Sequence, residues 1–326
     1  MPDGTDDGVS IVIPTVGRPS LSALLDLLRP QVAASPVPVE VLIADDRAER
    51  RGPAAARNCG WRRARHPWIA FLDDDVLPPP DWLTRLVADL RQPPDVGGVQ
   101  GRLTVPDNGE RDDWAANTAG LERAAWATAD MAYRRAALTE VGGFDERFPR
   151  AYREDADLAY RVQRAGWRLV VGARRTTHPV RPEGPWVSLR TQRGNADDAL
   201  LRRLHGPDWH RLLAAPAGRR HRHAAIVAAG VAGVALALVP ARVARRAAVV
   251  AGLAWLAGTA EFAAARRRTA PAAAPAPLLL TSAMIPPLAV AHWLNGWIRN
   301  RHAQPWFPGS TARVEAGSTK EDAWTS

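Results

Sequence analysis

Three short apolar runs, each followed by polar or acidic residues, constrain the fold more than any other feature of this sequence. They are VSIVIPT (9–15), VEVLIADD (39–46) and WIAFLDDD (68–75). The segments between them, SLSALLDLLRPQVA and GPAAARNCGWRRAR, have the apolar spacing of helices. Alternation of β-rich and helical segments predicts an α/β fold built on a mostly parallel sheet.

The carboxyl ends of these predicted strands carry Thr15, then Asp45 and Asp46, then the triplet Asp73 to Asp75. Ligands of open parallel sheets bind at this edge, outside the carboxyl ends of the strands. The sequence therefore predicts one polar crevice rather than three unrelated turns.

The aspartate triplet raises an electrostatic question, because adjacent like charges repel and burial increases the cost. Either the triplet is a solvated turn or a cation holds it together. In an extended turn Asp73 and Asp75 point to the same side, with Asp74 directed elsewhere. Mg²⁺ and Mn²⁺ prefer such oxygen ligands and commonly bind substrate phosphates as well.

Composition limits the partners and the compartment. The 326 residues carry a formal net charge of +9, and the basic residues cluster near apolar segments. That distribution favours an anionic membrane surface as partner, and no nucleic-acid partner is expected. Cys59 is the only cysteine, which excludes an intramolecular disulfide and a CxxC metal site. The N-terminus lacks an apolar h-region, so a cleaved secretory signal is not expected.

The C-terminal third contains three apolar runs, at 224–241, 247–265 and 276–298. The first two have about the length that spans a hydrocarbon core. The second run carries Glu261, and Pro286 and Pro287 are expected to break the third. Spanning helices, interfacial helices and core helices of a soluble domain all remain open.

These patterns divide the chain into four predicted regions. We expect a flexible N-terminus (1–8), an α/β domain (9–215), a membrane-associated helical region (216–300) and a polar, disordered tail (301–326). The basic cluster Arg219, Arg220 and Arg222 favours a cell-membrane location with the α/β domain in the cytoplasm.

Five segments appear in an order that is specific even though each alone is weak. They are SIVIPTVGR, VEVLIADD, GPAAARNCGWRRARHPWIAFLDDD, MAYRRAALTEVGGFDERF and YREDADLAYRVQRAGWRL. Together they resemble a family 2 glycosyltransferase with the GT-A fold, a Rossmann-like sheet of nucleotide-diphospho-sugar transferases, over roughly residues 9 to 200. The resemblance implies inverting transfer of a sugar from a nucleotide-sugar donor to an acceptor hydroxyl, with Mg²⁺ or Mn²⁺ as cofactor.

The same resemblance assigns roles to individual residues. Asp155 would be the catalytic base, with Glu154 beside it. The nucleotide-sugar would contact Pro14, Thr15, Asp45, Arg57 and Asp74, and the metal ligands would be Asp73, Asp75 and His178. Three of these residues have alternatives: Asp45 as a strand end, Arg57 as a structural ion pair, and His178 as a loop histidine.

The segment TQRGNADD (191–198) bears on the mode of action. Processive members of the family carry a Q-x-x-R-W signature. This segment has the glutamine, Gln192, but lacks the tryptophan, so the resemblance implies addition of one sugar per encounter. The expected acceptor is a glycan or a lipid-linked molecule, in cell-envelope or glycolipid synthesis. A nucleotidyltransferase of similar fold and a non-catalytic membrane-anchored scaffold are the competing hypotheses.

Overall fold

A computed structural model describes residues 8–107, 109 and 111–307. Six strands form a single sheet in the order β2-β1-β3-β5-β4-β6. They are β1 (Val9–Thr15), β2 (Val39–Asp45), β3 (Trp68–Leu72), β4 (Val96–Thr104), β5 (Asp130–Arg134) and β6 (Arg168–Thr177). Residues 1–7 of the predicted flexible N-terminus lie outside the described residues, as do residues 308–326 of the predicted disordered tail.

Twelve α-helices connect and cover the strands within the described residues. They are α1 (Ser20–Ala33), α2 (Pro53–Arg63), α3 (Trp82–Asp89), α4 (Asp113–Thr118), α5 (Arg135–Val141), α6 (Glu154–Arg164), α7 (Val187–Arg190), α8 (Asn195–His205), α9 (Trp209–Leu212), α10 (Arg220–Ala237), α11 (Arg242–Thr269) and α12 (Pro275–Arg299). Short 3₁₀ turns occupy Ala119–Arg123 and Thr191–Gly194.

The sheet is mixed but mostly parallel. Strand β1 pairs in parallel with β2 and β3, and β4 pairs in parallel with β6. Only β5 runs the other way, since it is antiparallel to both β3 and β4. The predicted α/β class, followed by C-terminal apolar helices, is therefore confirmed.

Both faces of the central strands are buried, which explains why their sequences are continuously apolar. In β1, Ile11 and Ile13 pack with α1 and α3 on one face, whereas Val12 packs with α2, α5 and α6 on the other. This alternation follows from the two-residue period of a strand.

A buried ion network, which the sequence analysis did not predict, ties β6 to the centre of the sheet. The Arg174 guanidinium is fully buried and donates to Asp130 at 2.7 Å and to Asp89 at 3.1 Å. Asp130 also accepts from the Trp82 indole at 2.9 Å and from the Thr176 hydroxyl at 2.5 Å. The network therefore joins α3, β5 and β6 through buried charges.

The C-terminal runs form α10, α11 and α12. By length and composition, α11 and α12 could cross a membrane. Within the described residues, α10 does not meet the same criterion. Buried residues make up 11% of the most apolar window of α11 and 33% of that of α12. Thus much of their apolar surface faces outward.

The prediction that Pro286 and Pro287 break the third run is wrong. Both prolines lie inside α12, which continues from Pro275 to Arg299. A proline removes the hydrogen bond to the carbonyl four residues earlier without ending every helix that contains it. Here the helix is held along its length by packing against α8, α10 and α11.

Removing the Asp130 carboxylate should destabilise the fold strongly, because Arg174 would remain buried without its partner. We expect Asp130→Ala to lower the free energy of unfolding by about 3–5 kcal/mol. Tryptophan fluorescence during denaturant unfolding of the full chain measures this change.

The matched control is Asp95→Ala, which removes an exposed ion pair between Arg168, at the start of β6, and the residue that precedes β4. Such pairs contribute little in water, so this variant should unfold nearly as the unmodified protein does. Equal destabilisation by the two substitutions would contradict the role of the buried network.

Candidate functional site

A cavity of about 490 Å³ lies at the carboxyl edge of the sheet. Its wall includes Thr15 from the end of β1, Asp46 after β2, and Asp73 to Asp75 after β3. Residues of α2 and α4 and of the segments that precede α6 and follow β6 also line it. The polar strand ends that the sequence places at one crevice do meet there.

Each carboxylate of the triplet is paired with a different arginine. The pairs are Arg57 with Asp73 at 2.8 Å, Arg18 with Asp74 at 2.8 Å and Arg181 with Asp75 at 3.2 Å. Charge-assisted contacts of this length offset the repulsion between adjacent carboxylates. The triplet is thus neither a solvated turn nor dependent on a cation alone for its charge balance.

Asp73, Asp75 and His178 form a cluster in which one potential ligand atom from each lies within 4.8 Å of the others. The His178 Nδ1 lies 3.1 Å from the carbonyl oxygen of Pro179. A carbonyl can only accept, so Nδ1 carries the proton and Nε2 keeps its lone pair in the neutral ring. Nε2 faces Asp75 Oδ1 at 3.7 Å. Two carboxylates and one imidazole are a donor set that fits Mn²⁺ or Mg²⁺.

Asp74 is engaged by the protein itself. Its Oδ2 accepts from the Thr15 hydroxyl at 2.6 Å, and its Oδ1 accepts from Arg18. The Thr15 oxygen in turn accepts from the Gly17 amide at 3.0 Å. Asp74 therefore fixes the end of β1, where Pro14 and Thr15 line the cavity.

Arg57 connects the triplet to the second acidic motif. It is 2% exposed, and its two terminal nitrogens donate to Asp73 at 2.8 Å and to Glu154 at 2.7 Å. Burial raises the pKa of the Glu154 carboxyl and the charge of Asp155 raises it further, whereas Arg57 acts in the opposite direction. Arg57 is thus both a buried ion-pair residue and part of the cavity wall, so the two readings of the sequence are compatible.

Asp155 lies in the first turn of α6 and is half-buried. Burial raises the pKa of its carboxyl, and a hydrogen bond from the Ala156 amide opposes that shift. The preceding Arg153 has a left-handed backbone with φ of 74°, a strained conformation of the kind found at functional sites. Among the described residues, neither Glu154 nor Asp155 lines the cavity wall.

Asp45 and Asp46 have different surroundings. The Asp45 side chain is 39% exposed and pairs with Arg47 at 2.6 Å, away from the cavity wall. The buried Asp46 lines the cavity and accepts from the amides of Arg51 and Gly52, both at 2.8 Å. The contact of Asp45 with a base stays a prediction. Asp46, which the sequence places at the predicted crevice without a role of its own, lines the cavity.

Asn58, to which the sequence assigned no role, contacts the backbone of Phe144, whose ring lies beside Arg57. Its side-chain amide exchanges hydrogen bonds with the backbone of Phe144, and the Phe144 ring lies 5.5 Å from the Arg57 guanidinium. Gly143, with φ of 77°, leaves room for Asn58, since a Cβ there would lie 2.5 Å from its oxygen. In the sequence, this contact is marked only by the paired glycines Gly142 and Gly143, in the GGFDE stretch of the segment MAYRRAALTEVGGFDERF.

Comparison with known proteins bears on what this site does. Residues 46–160 match the family model described as Glycosyl transferase family 2. The chain is 33% identical over 140 residues to the pre-mycofactocin glycosyltransferase of Mycobacterium tuberculosis, which covers 36% of this chain and 28% of that protein. It is 43% identical over 81 residues to the succinoglycan biosynthesis protein ExoO of Rhizobium meliloti, covering 25% and 22%.

The alignments therefore span less than a third of each curated relative. Among solved structures, the mannosyltransferase PcManGT from Pyrobaculum calidifontis, in complex with GDP-Man and Mn²⁺, superposes with a TM-score of 0.49 and 19% identity over 88% of this chain and 86% of that one. The family match and the curated relatives confirm the resemblance found in the sequence over residues 46–160, which match the model of family 2 glycosyltransferases.

Proposed function

We propose that the protein is an inverting, metal-dependent glycosyltransferase that moves a sugar from a nucleotide-diphosphate donor to an acceptor hydroxyl. The observation that carries this proposal is the cluster of Asp73, Asp75 and His178 in a cavity built largely by the family 2 segment. Residues 9–215 would form the catalytic domain.

The cavity offers the donor both positive charge and fixed polar groups. Asp75 Oδ1, His178 Nε2 and Asp73 would hold the metal ion, and Pro14 and Thr15 would contact the nucleotide. A bound Mg²⁺ or Mn²⁺ would stabilise the charge that develops on the nucleoside diphosphate leaving group. Arg18 and Arg181 add two partly exposed guanidinium groups at the same wall.

Asp155 would act as the base. It would take the proton of the acceptor hydroxyl while the hydroxyl oxygen forms a bond to the anomeric carbon of the donor sugar. The bond from that carbon to the diphosphate oxygen breaks at the same time, and the electron pair leaves with the nucleoside diphosphate. Attack from the side opposite the leaving group inverts the anomeric centre.

Two further features of the proposal rest on the sequence. The segment around Gln192 lacks the processive tryptophan, so one sugar would be added per encounter. The acceptor would be a glycan or a lipid-linked molecule, because α11 and α12 would keep the enzyme at a membrane. With the cluster Arg219, Arg220 and Arg222 inside, the catalytic domain would face the cytoplasm.

Metal removal should abolish transfer. Incubation with EDTA should stop release of nucleoside diphosphate from the nucleotide-sugar that the protein turns over, and Mn²⁺ or Mg²⁺ should restore it. Asp75→Asn should reproduce the loss in excess metal, because the neutral amide is a much poorer ligand. Asp81→Asn, an exposed aspartate of the same segment, is the control. Full activity after rigorous chelation would contradict the metal role.

Asp155→Asn should separate chemistry from binding. We expect turnover to fall by about 10²-fold or more while the donor binds nearly as before, because general-base catalysis acts only in the transition state. Initial rates and a thermal shift with nucleoside diphosphate measure the two effects. Loss of donor binding with normal turnover of bound substrate would move the base to Glu154 or to another carboxylate.

Membrane attachment is tested by carbonate extraction of the full chain. Spanning helices predict retention in the membrane pellet, whereas interfacial helices predict at least partial release. The pairing of Glu261 with Arg219 and Arg222 offsets the charge that the second run carries. A full chain that is soluble and monodisperse without detergent or lipid would contradict the proposal.

A further inference from the structure

A second cavity, of about 200 Å³, lies between α4, residues 187–192 and the three C-terminal helices. Trp114 and Asn117 of α4 line both this cavity and the larger one. On the opposite side, His223 of α10, Phe262 of α11 and Ile285 of α12 close it. The volume is several times that of a water molecule, which is about 30 Å³ in the liquid.

The contact between α4 and the C-terminal helices is held by one buried arginine. Arg266 of α11 donates to both oxygens of Asp113, at 2.7 and 3.2 Å. Its remaining terminal nitrogen donates at 2.8 Å to each of the Thr281 and Ser282 hydroxyls on α12. All of the guanidinium nitrogens are thus engaged, and Asp113 neutralises the charge.

Two residues that line this second cavity each carry a buried polar atom without a hydrogen-bond partner. These atoms are the Trp114 Nε1 and the His223 Nε2. His223 as a whole is 8% exposed, and its ring packs edge-on against Phe262 with 4.9 Å between centroids. An unpartnered buried polar atom costs free energy and is uncommon in folded proteins. Two such atoms at one cavity therefore indicate a ligand that supplies their partners.

We propose that this second cavity binds the acceptor, and that the acceptor group held there is a neutral, hydroxyl-bearing sugar. The inference rests on the proposed function. A hydroxyl can accept from the Trp114 indole N–H, and it can donate to or accept from the His223 nitrogen in either tautomer. Among the described lining residues the only carboxylate and guanidinium are Asp113 and Arg266, which neutralise each other. A phosphate or carboxylate on the bound group would find no free counter-charge.

The location also suits transfer. Trp114 and Asn117 line both cavities, so the proposed acceptor cavity and the cavity proposed for the donor are neighbours that share these two side chains. The C-terminal helices would then form one wall of the acceptor site in addition to anchoring the protein.

The test uses the full chain in lipid nanodiscs, since many common detergents are themselves glycosides. The probes are neutral methyl and octyl glycosides, with sugar 6-phosphates as their anionic counterparts. We expect neutral glycosides to increase nucleoside diphosphate release above the rate of donor hydrolysis and the 6-phosphates not to do so. In His223→Ala the ratio of transfer to hydrolysis should fall about tenfold, as expected for one lost hydrogen bond. His223→Gln, which keeps a polar group, should restore part of it.

His221→Ala is the matched control, because His221 lies on the same helix and is exposed. It should keep the transfer-to-hydrolysis ratio of the unmodified protein. Donor hydrolysis without any response to neutral glycosides, a stronger response to the 6-phosphates, or equal effects at His221 and His223 would overturn this inference alone. Absence of donor binding and hydrolysis in the unmodified protein would instead overturn the proposed function.

Discussion

The pairing of Arg57 with Asp73 and Glu154 is the interaction on which the site depends. It connects the end of β3 to the start of α6, so Asp73 and Glu154, which lie 81 residues apart in the chain, are held by one buried guanidinium. Buried charges are tolerated only when they are paired and hydrogen-bonded. The position of the proposed base and that of the metal cluster are therefore not independent of each other.

Pairing of buried charges also stabilises the rest of the carboxyl edge of the sheet. Three arginines neutralise the aspartate triplet, and each comes from a different segment: Arg18 after β1, Arg57 in α2 and Arg181 after β6. These ion pairs join three segments that are distant in the sequence to the end of β3. A divalent cation and a diphosphate entering the cavity would encounter arginines that already lie beside their carboxylates.

The sequence was sufficient for the local part of this structure. The three N-terminal strands and the meeting of their polar ends followed from apolar periodicity and from the geometry of parallel sheets. Contacts between distant segments did not follow, because nothing local distinguishes a buried arginine such as Arg174 from the many exposed ones. The sequence placed both Asp45 and Asp46 at the crevice but assigned the nucleotide contact to Asp45, because strand period alone does not show which of two adjacent aspartates turns inward.

Hydropathy likewise predicted the existence of the C-terminal helices but not their attachment to the domain. The contact of Arg266 with Asp113 has a practical consequence for how the protein is divided. A fragment that ends near residue 215 would lose Arg266 and with it the partner of Asp113, and the cavity beside Trp114 would lose the wall that α10, α11 and α12 provide. The C-terminal helices therefore form part of the surroundings of α4. A chain that lacks them would not reproduce the contacts that α4 makes in the full chain.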